Sequence, residues 1–175
     1  MPHTKTLIVI NGPMGAGKTT VSRELCRLLT PSIFLDGDWC WDLHPFSVTE
    51  ATRSLVTDNI RALLSRDLRC EEIDYVVFCS VLQYEETARQ LLEGLDPSVR
   101  VLRFTLDVSD EELARRLKTD ISAGRRDPDC LRRGLDYQRF YPGQHTIHLD
   151  TTSLSSAQAA ARIADRVRQD CALPR

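Results

Sequence analysis

Short runs of apolar residues alternate along the chain with longer stretches in which apolar positions recur at helical spacing. Residues 7–10, 33–35, 75–79, 99–106 and 146–149 are continuous or period-two apolar runs bounded by polar or turn residues, and they predict five strands. Between them, residues 18–29, 49–68, 84–92, 109–118 and 155–169 have the helical period. Strands read as near-continuous apolar runs when both faces are buried, and helices between successive strands supply the crossovers that parallel pairing needs. The expected fold class is therefore α/β, a parallel sheet covered by helices on both faces. Ser109-Asp110-Glu111-Glu112 reads as a capping box, Ser155 or Ser156 is expected to cap the last helix, and Glu93-Gly94 to stop the third. There is no internal repeat, low-complexity tract or linker.

Composition narrows the class. A length of 175 residues with 42% hydrophobic content fills one compact domain, residues 1–175, and not two. The formal net charge of −2 gives no reason to expect a nucleic acid or a membrane surface as partner, so a small-molecule substrate is expected, with the chain a monomer or homodimer. No basic-then-apolar leader precedes the first strand, and no segment approaches the ~20 apolar residues of a membrane span, so a cytoplasmic location is expected. Cys26, Cys40, Cys70, Cys79, Cys130 and Cys171 form no C-x-x-C pair and have no His at ligand spacing; most are expected to be reduced and buried.

Candidate chemistry begins directly behind the first apolar run. Gly12-Pro13-Met14-Gly15-Ala16-Gly17-Lys18-Thr19 is a complete G-x-x-x-x-G-K-[ST] loop set between a strand and a helix. Glycines let the backbone curl so that successive N–H groups converge on one point, and the helix that follows adds the positive end of its dipole. A triphosphate is the natural guest: Lys18 would reach the β- and γ-phosphate oxygens, Thr19 would hold a bridging Mg²⁺, and Thr20 would face the α-phosphate.

A second signal, Asp36-Gly37-Asp38, falls where the second strand should end. Ligands of open parallel sheets bind outside the carboxyl ends of the strands, so both acids should face the phosphate loop, with Gly37 letting the backbone turn between them. Asp36 is expected to complete the metal shell, and Asp38 to orient or deprotonate an attacking hydroxyl. Asp-Gly is also an ordinary turn dipeptide, and the functional reading rests on its combination with the loop.

With these residues in place, the chain resembles, over essentially its whole length, the small P-loop kinases of the shikimate, gluconate, adenylylsulfate and nucleoside monophosphate kinase superfamily. The loop followed by Asp36-Gly37-Asp38 is most similar to the shikimate/gluconate branch, in which an Asp-x-Asp pair serves metal and substrate hydroxyl. The resemblance implies a three-layer α/β/α P-loop NTPase fold with sheet order 2-3-1-4-5, ATP and Mg²⁺ as cofactors, and phosphoryl transfer to a hydroxyl or phosphate of a small metabolite. A nucleoside or nucleotide kinase is the alternative within enzymes. The chain also resembles small proteins of the superfamily linked to antibiotic resistance, which keeps open a nucleotide-binding resistance or regulatory protein with little turnover. Two departures stand out. The third strand ends in Cys79-Ser80 without the Asp that many P-loop proteins place there, leaving Asp36 or Ser80 to serve the metal, and no Gly-Gly turn follows it, which argues against shikimate itself.

In the resembling family the stretch before the last strand is a mobile lid whose arginines close over the phosphates, here about residues 119–142. The basic segment from Arg115 to Arg133, which runs into this lid, carries Arg115, Arg116, Lys118, Arg125, Arg126, Arg132 and Arg133 around Ala123-Gly124 and Asp127-Pro128. Arg116 and Arg125 are expected to neutralise the transferring phosphoryl group and Arg126 to meet the substrate, while Glu111, Glu112, Asp120 and Asp127 offer ordinary ion-pair partners. Trp39 is expected to wall the substrate pocket, the alternative being packing of the next helix on the sheet, and His44 before Pro45 reads as a turn residue. Gln83, Tyr84 and Glu85 either touch substrate or begin the third helix. Tyr137, Arg139, Tyr141 and His145 lie where adenine commonly rests in the resembling family.

Overall fold

The computed structural model describes residues 5–172. Five strands, β1 (Thr6–Asn11), β2 (Ser32–Asp36), β3 (Tyr75–Cys79), β4 (Arg100–Asp107) and β5 (Ile147–Asp150), form one parallel sheet in the order β2-β3-β1-β4-β5. The helices are α1 (Lys18–Leu28), α2 (Glu50–Arg69), α3 (Glu85–Leu92), α4 (Asp110–Ser122), α5 (Cys130–Gln138) and α6 (Ser156–Ala172). This is the α/β fold and strand order that the pattern and the resemblance led us to expect.

Side-chain alternation along β1 separates the two cores. Ile8 and Ile10 point to one face with Leu25 of α1, Leu113 and Leu117 of α4 and Ile163 of α6, while Leu7 and Val9 point to the other with Val56, Ile60 and Leu64 of α2 and Leu91 of α3. All six residues of β1 are buried because it is the central strand, flanked by β3 and β4. Each fully buried aliphatic side chain contributes about 1.5–3 kcal/mol, and that burial fixes the register. Ile10 and Asp36 both lie beside Cys79, so the register brings the end of β1, the Asp36 carboxylate and the Cys79 thiol abreast at the carboxyl edge of the sheet.

Several local features differ from the sequence pattern. A 3-10 helix, Gly37–Trp41, follows β2 directly. Gly37 has no positive φ; it is small because a Cβ there would stand 2.8 Å from Ser80 Oγ, so close approach to β3 is the reason for glycine at this position, not a special turn. The Ser109 hydroxyl accepts from Glu112 N, but Glu112 turns its carboxylate to Arg115 and Arg116, so the expected capping box is only half made. Ser155, rather than Ser156, caps α6, in a reciprocal pair with Gln158. Helix α4 runs on to Ser122, and α5 was not separately legible because Gly134 weakens its helical signal. All six cysteines are free thiols, but only Cys79 and Cys130 are buried. Among the described residues, no helix is long and apolar enough to cross a membrane.

Candidate functional site

The loop between β1 and α1 curls as its glycines demand. Gly12 has φ +139°, and a Cβ there would meet the Leu106 carbonyl oxygen at 2.9 Å, so backbone conformation and space both require glycine. Lys18 folds back over the loop and its Nζ donates to the carbonyls of Gly12 at 3.0 Å and Pro13 at 2.9 Å. Burial lowers the Lys18 pKa to about 8, with the carboxylates of Asp38 and Asp36 partly restoring it and the Arg126 charge opposing them. An ammonium that is partly buried at the floor of the cleft and held only by carbonyls is suited to receive an anion.

The Asp36 carboxylate ties the loop to the next element. Its Oδ2 accepts from the Thr19 hydroxyl at 2.7 Å and its Oδ1 from the Asp38 amide at 3.1 Å, where it caps the 3-10 helix. Asp38 is thereby aimed into a cleft of about 230 Å³ lined also by Met14, Gly15, Lys18, Thr20 and Arg126. Burial first, then the Asp36 charge, push the Asp38 carboxyl above the usual carboxylate range, against the pull of Lys18 and Arg126. Cys79 beneath them is pushed up to about 12 by burial and by Asp36, which makes it an inert wall.

Magnesium takes oxygen donors and keeps several waters, so one or two protein oxygens with substrate phosphates complete its shell. Thr19 Oγ1 and Asp36 Oδ2, already 2.7 Å apart, are such a pair. Two protein oxygens leave most of an octahedral shell open, so they suit an ion that arrives with a polyphosphate. Ser80 packs its hydroxyl against Gly37.

The expected arginines separate. Arg126 lines the cleft with Lys18 and Asp38. Arg125 does not line it; it lies on Asp120, its side chain 59% exposed. Arg116 faces elsewhere: it donates to the carbonyls of Ala16 at 3.2 Å and Thr151 at 2.9 Å and pairs with Glu112 at 2.8 Å. Trp39 does not line the cleft either. It is 53% exposed and packs edge-on against Phe34 of the edge strand β2, with ring centroids 5.4 Å apart, on the side that α1 covers.

Sequence reasoning missed two features. Arg116, Thr151, Ser155 and Ser156 line a second cleft of about 260 Å³, which meets the first at Gly17 and Thr20. It lies between α1, α4 and the turn that leads from β5 into α6, while Tyr141 is buried away from it. A buried network also braces the loop. Asn11 donates to Leu82 O at 3.0 Å and Gln144 Oε1 at 2.7 Å and accepts from Leu82 N at 2.9 Å, while Gln144 donates to the carbonyls of Leu82, Gln83 and Phe140. Asn11 beside the loop was the one available signal; Gln144 carried none. Of the residues after β3, Tyr84 stands at the N-terminal boundary of α3 and packs its ring on Phe140, and Glu85 pairs with Arg103.

This arrangement has structural counterparts. A gluconokinase from Sinorhizobium meliloti 1021 superposes with a TM-score of 0.64 at 18% identity over 97% of this chain and 99% of that one. Shikimate kinase from Acinetobacter baumannii, in complex with shikimate, gives 0.65 at 19% identity over 96% of each chain. A tunicamycin resistance protein from Deinococcus radiodurans gives 0.66 at 24% identity over 93% of this chain and 95% of that one. No curated protein matches the sequence significantly. Residues 8–133, from β1 through the phosphate loop to α5, match the AAA domain family. The chain therefore belongs to the AAA domain family, and its fold is that of the small P-loop kinases.

Proposed function

We propose that this chain is a Mg²⁺-dependent kinase that transfers the γ-phosphoryl group of ATP to a hydroxyl, or a phosphate, of a small metabolite. The observation that carries the reading is the convergence of Lys18, Asp38 and Arg126 on one cleft whose floor is the phosphate loop. The loop amides and Lys18 hold the β- and γ-phosphates, and Arg116 and Thr151 border the cleft that receives the nucleoside. Thr19 and Asp36 would hold Mg²⁺ together with the phosphates, and the ion would supply charge neutralisation there. Asp38 accepts the hydroxyl proton as the acceptor oxygen bonds to the γ-phosphorus and the bond to the β–γ bridging oxygen breaks, releasing ADP. Its upward-shifted pKa makes it a better base than a solvated carboxylate. Arg126, carried on the segment 119–142 as a closing lid, neutralises the equatorial oxygens while water is excluded.

The exposed position of Trp39 counts against a nucleoside kinase that would stack a base on it. A second reading, a nucleotide-binding resistance or regulatory protein with little turnover, is favoured by Cys79-Ser80 in place of a strand-end Asp and by the likeness to the tunicamycin resistance protein. The experiment is ADP formation from Mg-ATP against pooled nucleotides, nucleosides, sugar acids, hydroxylated ring acids and nucleoside-like antibiotics, with Lys18→Ala as blank. Acceptor-dependent ADP release that disappears in Asp38→Asn, with nucleotide binding retained, supports the kinase. Binding without any acceptor-dependent ADP sinks it in favour of the second reading.

A further inference from the structure

Asp120 stands in an electrostatically unfavourable place. It lies in the last turn of α4, where the helix dipole is negative, and it lines the Lys18 cleft, where the proposed guest is a polyanion. Its contacts show what offsets this. Asp120 Oδ1 accepts from Arg125 Nε at 3.0 Å and Nη2 at 2.8 Å, and its Oδ2 accepts from Arg126 Nε at 3.1 Å. The backbone repeats the attachment, since Arg125 N donates to Asp120 O at 2.9 Å through a turn in which Gly124 has φ +69°. Arg126 is engaged through Nε alone. Its two Nη groups have no hydrogen-bond partner among the described residues, and its charge acts on both Lys18 and Asp38. A surface ion pair at a helix end contributes little to stability, so simple stabilisation is a weak reason for a carboxylate here.

We propose that Asp120 is a positioning residue: it fixes the Arg126 guanidinium over the phosphate-transfer end of the cleft and does so at a cost in polyphosphate affinity. The inference rests on the kinase reading above and deepens it, naming the group that orders the lid arginine before substrate arrives. Arg125 shares the carboxylate and acts as the second tether, which accounts for its position outside the cleft.

The test separates charge from structure. In Asp120→Asn the side chain keeps its shape and loses its charge, leaving two unneutralised arginines. Affinity for a ribose-labelled fluorescent ATP with Mg²⁺ rises by about three- to tenfold, the size expected for removing one charge from a partly solvated site, and affinity for the ADP analogue rises less. The rate of ADP formation at saturating Mg-ATP falls by about tenfold, because Arg126 is no longer held in place. Asp120→Glu returns both quantities toward wild type. Unchanged affinities, or a parallel weakening for ATP and ADP with a lower melting temperature, overturn the assignment and leave Asp120 a structural residue. If the wild-type chain itself binds neither analogue, the phosphate-site reading has failed and Asp120 falls with it; that outcome is visible without any variant.

Discussion

The lowered pKa of Lys18 sets a pH limit on nucleotide binding. In the free protein the value drops from 10.5 to about 8 because the ammonium is buried on the loop with carbonyl partners. At about 1.4 kcal/mol per pH unit, this is a penalty of about 3 kcal/mol on the charged form, which an arriving phosphate would offset. Above about pH 8 the free protein loses the Lys18 proton, while the phosphate-bound form, with its higher pKa, keeps it. The Kd for Mg-ATP therefore rises toward tenfold per pH unit, reaching about 30-fold between pH 7 and pH 9.5, whereas an ordinary lysine would cost about 1.1-fold over the same span. Titration of a fluorescent ATP analogue at constant ionic strength measures this, and Lys18→Arg, whose guanidinium stays charged, should flatten the profile. Unfolding cannot mimic the effect through Lys18. Its folded pKa lies below the unfolded value, so the unfolded chain binds more protons between about pH 8 and 10.5, and this group adds stability as pH rises. Cys79 acts the other way above its unfolded value of 9.0, because its folded pKa is raised to about 12, so the denaturation midpoint is to be followed at each pH. A flat wild-type profile to pH 9.5, or an equal loss in Lys18→Arg, refutes the reasoning.

Two further predictions concern the frame of the site. Asn11→Leu removes three hydrogen bonds and orphans the Leu82 N–H and Gln144 Oε1 in a buried setting, so a loss of about 2–5 kcal/mol is expected from chemical denaturation with an unchanged m-value. Gly134→Ala places a Cβ 2.6 Å from Leu117 Cδ1 and 3.5 Å from the Met14 carbonyl, forcing α5 away from α4 and the phosphate loop. A destabilisation of about 1–3 kcal/mol in thermal melts is expected, and an unchanged melting temperature would mean that Leu117 yields freely.

Much of this protein was written locally. The strands announced themselves because buried parallel strands need continuous apolar runs, and the phosphate loop because only glycines, a lysine and a hydroxyl at fixed spacing build it. Asp36 and Asp38 were legible for the same reason: their position after β2 places them at the carboxyl edge of the sheet, where Thr19 meets Asp36. The arginines were not separable by sequence. Arg116, Arg125 and Arg126 lie on or just beyond one helix with similar acidic neighbours, and only the tertiary structure sends Arg116 to Thr151 and sets Arg126 in one cleft with Lys18. Trp39 misled because an aromatic beside an acid does not reveal which face of an edge strand it will cover.

What the sequence determined by itself is whatever depends on neighbours in the chain: the periods of the elements, the curl of the loop and the acid pair that follows β2. Tertiary structure alone decided whatever depends on partners far along the chain. Asn11 meets Gln144, Arg116 meets Thr151, and Lys18 shares a cleft with Asp38 and Arg126, because the parallel sheet gathers its strand ends at one edge and packing there sets which side chains share a low-dielectric space.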